Sequence, residues 1–177
     1  MTHIALLRGI NVGGKARLPM SDLIAIFESA GATNVRTYIQ SGNVVFTSHA
    51  PEPLVAAVTA EIAARFGYPG RIVLRSAKEL RKAYTANPFA QPGWLEDPLH
   101  VYFLADQPTQ AAIDALDHAR SPGDSFAVLN REVYLHLPNG MARTRLTNAY
   151  FDAQLNTVST ARNWRSIRAL LALADPA

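Results

Sequence analysis

Arg8-Gly9-Ile10-Asn11-Val12-Gly13-Gly14-Lys15-Ala16-Arg17 sets three cations and three glycines within ten residues, directly after the apolar run Ile4 to Leu7. Glycine lets main-chain N–H groups approach an anion closely, and neighbouring cations hold it there. Gly9, Gly14 and Lys15 also satisfy the spacing G-x-x-x-x-G-K of a nucleotide-binding phosphate loop. The match stops at Ala16, which lacks the hydroxyl that ligates magnesium, and Pro19 starts the following helix too late for its N-terminus to meet the phosphates. Anion binding without nucleotide hydrolysis is the chemistry left for this loop. A plain tight turn is its structural alternative.

Other residues are candidates to join it. Along Val35 to Gln40, alternation sends Arg36, Tyr38 and Gln40 to one side and Val35, Thr37 and Ile39 to the other. With the first strand beside this hairpin in a ferredoxin-like arrangement, Arg8 would lie near Arg36 or the Ser41-Gly42-Asn43 turn and form a polar patch with Lys15. Guanidinium, amide and aromatic groups would then share one patch suited to phosphate or base contact. A second basic cluster comprises Arg143, Arg145, Arg162, Arg165 and Arg168. There Thr160 reads as the cap of the last helix, with Asn163 in its first turn and Trp164 as a core anchor. Arg162 would reach the same ligand across a cleft between halves. The expected ligand set is therefore Arg8, Asn11, Gly13, Gly14, Lys15, Arg36, Gln40, Ser41, Asn43, Arg162 and Asn163.

Catalytic constellations are poor, and no catalytic residue is assigned. Zero cysteines remove thiolate nucleophiles, disulfides and cysteine-ligated metals. The histidines at 3, 49, 100, 118 and 136 include no i, i+4 pair and no recognisable ligand pattern, so neither metal nor cofactor is expected. Glu96-Asp97 is an adjacent acidic pair in a loop. Ser41 lacks the G-x-S-x-G frame of a nucleophile elbow. His136 shares a strand face with Tyr134 and reads as a surface residue.

The elements that must position these groups form two similar halves. The first runs strand (His3 to Arg8), helix (Pro19 to Ala30, closed by Gly31), hairpin (Val35 to Gln40 and Val44 to Thr47), helix (Leu54, Val58, Ile62 and Phe66 spaced by four, closed by Gly67), strand (Arg71 to Arg75) and a short capped helix near Leu80. Asn87 to Pro98 holds three prolines and a glycine and reads as a linker. The second half then runs strand (His100 to Leu104), helix (Thr109 to Ala119), hairpin (Ser125 to Leu129 and Val133 to Leu137) and helices at Thr147 to Leu155 and Trp164 to Ala174. The expected fold is α+β, two ferredoxin-like halves of the β-α-β-β-α-β type in tandem: residues 1–86, a linker at 87–98, and residues 99–177 with the terminal helix. A single continuous mixed sheet is the alternative.

Leu6-Leu7-Arg8-Gly9-Ile10-Asn11-Val12-Gly13-Gly14-Lys15, Leu18-Pro19-Met20 and Asn34 to Phe46 resemble a bacterial family known as domain of unknown function 1697. The resemblance extends through Asn87-Pro88-Phe89 to Thr160-Ala161-Arg162-Asn163-Trp164 and so spans nearly the whole chain. It implies a small soluble protein of two α+β halves and carries no established activity. One departure is Thr144-Arg145-Leu146-Thr147, where similar proteins tend to show a Ser-Lys-Leu-Thr-like run; Arg145 keeps the positive charge but not a lysine amine.

The net charge of +3 is unevenly spread: residues 1–82 carry +5, residues 83–130 carry −5 and residues 131–177 carry +3. Basic ends suit a phosphorylated ligand or nucleic acid, and basic and acidic stretches of different copies suit assembly. The basic-glycine-aromatic signature of an RNA-recognition sheet is missing, so nucleic acid is open without being favoured. No apolar run is long enough for a membrane helix and Met1 to Ile10 lacks the features of a signal peptide, which with zero cysteines places the protein in the cytoplasm. The expected function is binding of a small anionic or phosphorylated ligand. The rivals are an enzyme acting on such a ligand and an interaction module; oligomeric state is left open.

Overall fold

Strand β1 (Thr2–Leu7) is an unbroken apolar run from Ile4 to Leu7, each of these residues at most 1% exposed. Such a strand, unlike an alternating one, belongs inside a sheet covered on both faces. In the computed structural model, which describes residues 1–11 and 17–175, it takes that place. β1 pairs antiparallel with β3 (Asn43–Thr47) on one side and β4 (Ile72–Ser76) on the other, and β2 (Thr33–Tyr38) lies beyond β3. The order is β2-β3-β1-β4.

The second sheet repeats this arrangement. β5 (Leu99–Leu104) lies between β7 (Glu132–His136) and β8 (Ser159–Asn163), with β6 (Ser125–Leu129) outside β7, giving β6-β7-β5-β8. With α1 (Met20–Ser29), α2 (Pro51–Phe66), α3 (Ala77–Thr85), α4 (Gln110–Asp114), α5 (Asn148–Leu155) and α6 (Trp164–Ala174), the described residues form a mixed α+β protein of two four-stranded antiparallel sheets and six helices. Two compact units result: Met1–Lys82 with Arg168–Ala177, and Ala83–Ile167. No helix among the described residues is long and apolar enough to cross a membrane.

One face of each sheet carries the helices. In the first unit Ala5, Leu7, Val44 and Phe46 join Leu23, Ile26 and Phe27 of α1 and Leu54, Val58 and Ile62 of α2 in one buried cluster. Each such large side chain contributes about 1.5–3 kcal/mol by leaving water. In the second unit Tyr102, Leu104, Val133 and Leu135 cluster with Phe126 and with Tyr150, Phe151 and Leu155 of α5. The opposite faces are buried too, and they hold polar groups. Arg36, Val45, Ile4 and Arg75 lie in one row across the first sheet, and Ala127, Tyr134, Val101 and Arg162 in one row across the second. Arg75 is 1% exposed and Arg162 is 7% exposed. Arg75 Nη1 donates to Leu74 O at 2.9 Å, and Arg162 Nη1 donates to Ala161 O at 2.7 Å and Thr160 Oγ1 at 2.8 Å. Each of these arginines precedes a helix-capping residue: Ser76 Oγ accepts from Glu79 N, and Asn163 Oδ1 from Ser166 N.

Three sequence expectations change here. Ser159–Asn163 is a strand, so Thr160 is paired in the sheet instead of capping the last helix, and Asn163 is the cap. The strand's buried positions are polar: Ser159 Oγ donates to Asp152 and accepts from Asn148, which hydrophobic periodicity does not register. α4 ends at Asp114 instead of Ala119, because the Asp117 carboxylate accepts from Ala119 N and diverts the backbone into a turn. Tyr134 is 1% exposed, its hydroxyl donating to Ala83 O at 2.8 Å, so the face it shares with His136 is no solvated surface.

Gly42 and Gly67 both have positive φ, 74° and 63°. A Cβ on Gly42 would lie 2.7 Å from Leu7 Cβ and Ile10 Cδ1, whereas a Cβ on Gly67, at the end of α2, would meet nothing. Gly42→Ala is expected to lower stability by about 2–4 kcal/mol and Gly67→Ala by about 1 kcal/mol, as read from urea unfolding. His3 and His100 are held below their ordinary 6.5, chiefly by burial. Below that pH the unfolded chain takes up protons that the folded one refuses, so stability falls as the solution is acidified and does not change above it. The urea midpoint should therefore drop from about pH 7.5 to about pH 5.5. Replacing both histidines by Gln should flatten that drop.

Candidate functional site

The chain leaves β1 at Arg8, and the main chain fixes where it goes. Arg8 N donates to Arg71 O at 2.9 Å and Leu7 N to Gly42 O at 2.8 Å. The exit from β1, the approach to β4 and the turn between β2 and β3 therefore meet at one end of the first sheet. Arg8 is half-buried there, while Arg17 and Arg71 are exposed. Gly9, with φ of 70°, lies beside the Tyr68 hydroxyl, 3.6 Å from where a Cβ would stand.

Asn11 secures this corner. With φ of 54°, it accepts from Leu18 N at 2.9 Å through Oδ1. Nδ2 donates to Leu18 O at 3.1 Å and to Gln40 O at 2.9 Å. Both amide hydrogens are used, so the Asn11 side chain positions the corner instead of offering a donor to a ligand. Its bonds to Leu18 fix both ends of the segment carrying Gly13, Gly14 and Lys15, which themselves lie outside the described residues.

The turn residues are likewise bound into the scaffold. Gln40 contributes its carbonyl, and its exposed side chain lies at the rim. Asn43 is fully buried, donating to Tyr38 O at 3.1 Å and Ser41 Oγ at 2.9 Å. Ile39 has φ of 50° and is 53% exposed, which ends the alternation expected to run on to Gln40. Arg36 lies in mid-strand, and among the described residues its buried Nε has no partner. Of the expected ligand set, the fold gathers Arg8, Asn11, Gln40, Ser41 and Asn43 around this corner and holds Arg36 on the neighbouring strand. Arg162 and Asn163 belong to the second unit, with Arg162 bonded into β8 and Asn163 capping α6.

Residues 87–98, expected as a linker, carry two aromatic side chains. Trp94 and Phe89 lie against the His136 ring, with centroids at 5.1 and 6.1 Å, so the segment packs on the second sheet. A cleft of about 460 Å³ opens beside it, lined among others by Tyr84, Asn87, Trp94, Glu96 and Trp164. Tyr84 and Trp164 stack at 4.6 Å and 11°. Asn87 is 6% exposed; its Oδ1 accepts from Phe89 N at 2.9 Å, while its buried Nδ2 has no partner among the described residues. A buried donor left unmet costs about 1–3 kcal/mol. The legible signal was a tryptophan inside a proline- and glycine-rich stretch, where a solvated linker has no use for one.

With this geometry in place, known proteins supply a family and a fold. The model of a family described as protein of unknown function, DUF1697, matches residues 1–134, and the chain belongs to that family. No curated protein matches it. Among solved structures it is similar to the conserved bacterial protein SP0830 from Streptococcus pneumoniae, with a TM-score of 0.67 and 21% identity over 98% of each chain. That likeness shows the fold, and it includes the C-terminal quarter that the family model leaves out.

Asn11→Ala removes three hydrogen bonds and places a Cβ-bearing residue without a stabilising side chain at positive φ. A loss of about 2–3 kcal/mol is expected in urea unfolding, with faster hydrogen exchange at the Leu18 amide. Asn11→Gly, which tolerates the backbone angle, should lose about 1 kcal/mol less.

Proposed function

We propose that the protein binds a small anionic, phosphorylated ligand at the end of its first sheet, and that each unit is a ferredoxin-like β-α-β-β-α-β module. The shared strand order, β2-β3-β1-β4 and β6-β7-β5-β8, supports the second part. The observation that carries the first is the pairing of Arg8 with Arg71 beside a segment whose two ends Asn11 closes. This gathers cations from two strand ends next to a glycine- and lysine-bearing loop. Arg8, Lys15 and Arg71 supply charge in this reading, Gly13 and Gly14 supply main-chain amides, and Asn11 positions the loop. Arg36 adds a guanidinium whose buried Nε has no partner among the described residues. The balance of +5 over residues 1–82 draws anions to this unit, and the lack of cysteine suits a cytoplasmic setting.

The test is a thermal-shift series with inorganic phosphate, sugar phosphates and nucleotides at two salt concentrations. A ligand at a hundredfold excess over its Kd adds about 2.7 kcal/mol and raises the midpoint. Arg8→Ala, Lys15→Ala and Arg71→Ala should each abolish the shift and leave the unliganded midpoint within a few degrees, since the main-chain bond from Arg8 to Arg71 survives. No shift with any of these anions would overturn the reading. A response confined to oligonucleotides and steeply weakened by salt would replace it with nucleic-acid binding.

A further inference from the structure

Among the described residues, the left-handed region of positive φ is filled by eight glycines and by Asn11, Asn34, Asn130 and Asn156, the residue types that tolerate it. Ile39, at 50°, is the exception. A β-branched side chain crowds its own backbone at that angle, and the conformation persists only where the surroundings impose it. Two asparagine amides do so. Asn43 Nδ2 donates to Tyr38 O at 3.1 Å and Asn11 Nδ2 to Gln40 O at 2.9 Å, which holds the carbonyls on either side of Ile39. Core packing does not account for the isoleucine, because it is 53% exposed. A strained, apolar and outward side chain, where asparagine would serve the backbone better, marks a contact made outside the fold.

Its place in the fold narrows what that contact is. Gly42 O accepts from Leu7 N, and the next residue, Arg8, donates its main-chain N–H to Arg71 O, so the turn carrying Ile39 stands at the end of the sheet where those two arginines meet. Asn11, which binds Gln40 O, also closes the glycine- and lysine-bearing segment through Leu18. An exposed aliphatic branch is thus set beside the cations, while the Asn11 and Asn43 amides of the same turn are spent on the scaffold. Resting on the anion reading above, we infer that Ile39 is the apolar contact of that site and that the ligand is a phosphate monoester carrying an apolar ring. The phosphate meets the cations, and the ring lies against the isoleucine branch. Inorganic phosphate or a polyol phosphate leaves that contact unused.

Phenyl phosphate, glycerol 3-phosphate and inorganic phosphate are the probes, titrated by calorimetry. Phenyl phosphate should bind about tenfold more tightly than glycerol 3-phosphate, a step that covering roughly half of an isoleucine side chain supplies. Ile39→Asn accepts the left-handed angle and removes the apolar branch. It should bring that preference down to about one, and its unliganded melting midpoint should be no lower than the native one, because the relieved backbone offsets the little packing lost. Ile39→Val keeps the branch and should keep the preference. Equal affinity for the two esters in the native protein, or a tenfold preference surviving in Ile39→Asn, would overturn this inference and leave the anion reading standing. Failure of all three phosphates to bind would overturn both. A midpoint several degrees lower in Ile39→Asn would assign the side chain to stability and overturn the inference as well. So would a native oligomer, seen by sedimentation velocity, that Ile39→Asn dissociates, since the contact would then belong to a second copy.

Discussion

Burial of the central strands on both faces is the constraint from which the rest of this structure follows. β1 and β5 are each flanked by two partners, and Ile4 to Leu7 and Val101 to Leu104 are all at most 1% exposed. A polar side chain on a neighbouring strand then has no water to turn to, and it persists only where the main chain or another side chain satisfies it. Arg75 and Arg162 meet carbonyls one residue back, and Tyr134 reaches Ala83 O. Tyr102, whose hydroxyl burial pushes above its ordinary range, donates to Leu146 O at 2.8 Å. Arg75 and Arg162 are thus satisfied within their own strands, whereas Tyr102 and Tyr134 depend on carbonyls more than 40 positions away.

The two units use that device at the same place. In each, the last strand carries an arginine, the next residue caps the following helix, and the arginine returns a hydrogen bond to its preceding carbonyl. Identical strand order and this shared local chemistry relate the halves more closely than their side chains do. They diverge outside the sheets. The long connection after β1 is basic and glycine-rich and held by Asn11, whereas the second unit joins β5 to α4 by the short run Ala105 to Thr109 and places its unusual residues before β5, around Asn87 and Trp94. Each unit thus carries its distinctive polar chemistry at a different point of the same frame.

At the first corner, amides that look like ligand donors in the sequence are occupied. Asn11 and Asn43 spend their donors on carbonyls and a hydroxyl of the turns, which holds the corner without contacting an anion. Among the described residues, Arg8 and Arg71 at the strand ends bring positive charge to it. The division between positioning asparagines and charge-bearing arginines reflects chemistry: an amide matches main-chain geometry in both directions, whereas a guanidinium only donates.

Sequence by itself determined the element order of the first half and most of the core, because apolar periodicity and the glycine stops at Gly31 and Gly67 are local signals that water enforces wherever the segment ends up. It also singled out Arg8 and Asn11 as neighbours worth watching. Tertiary structure alone decided that Ser159 to Asn163 is a strand, that Arg75 and Tyr134 are interior, and that Asn11 faces Leu18 and Gln40. It alone decided that Asn87, Tyr84, Trp94 and Trp164 share one cleft. The physical reason is common to all of these. A polar residue's role is set by which donor or acceptor it meets across the chain, and residues up to 80 positions apart, as Tyr84 is from Trp164, are introduced to one another only by the pairing of strands and the packing of rings.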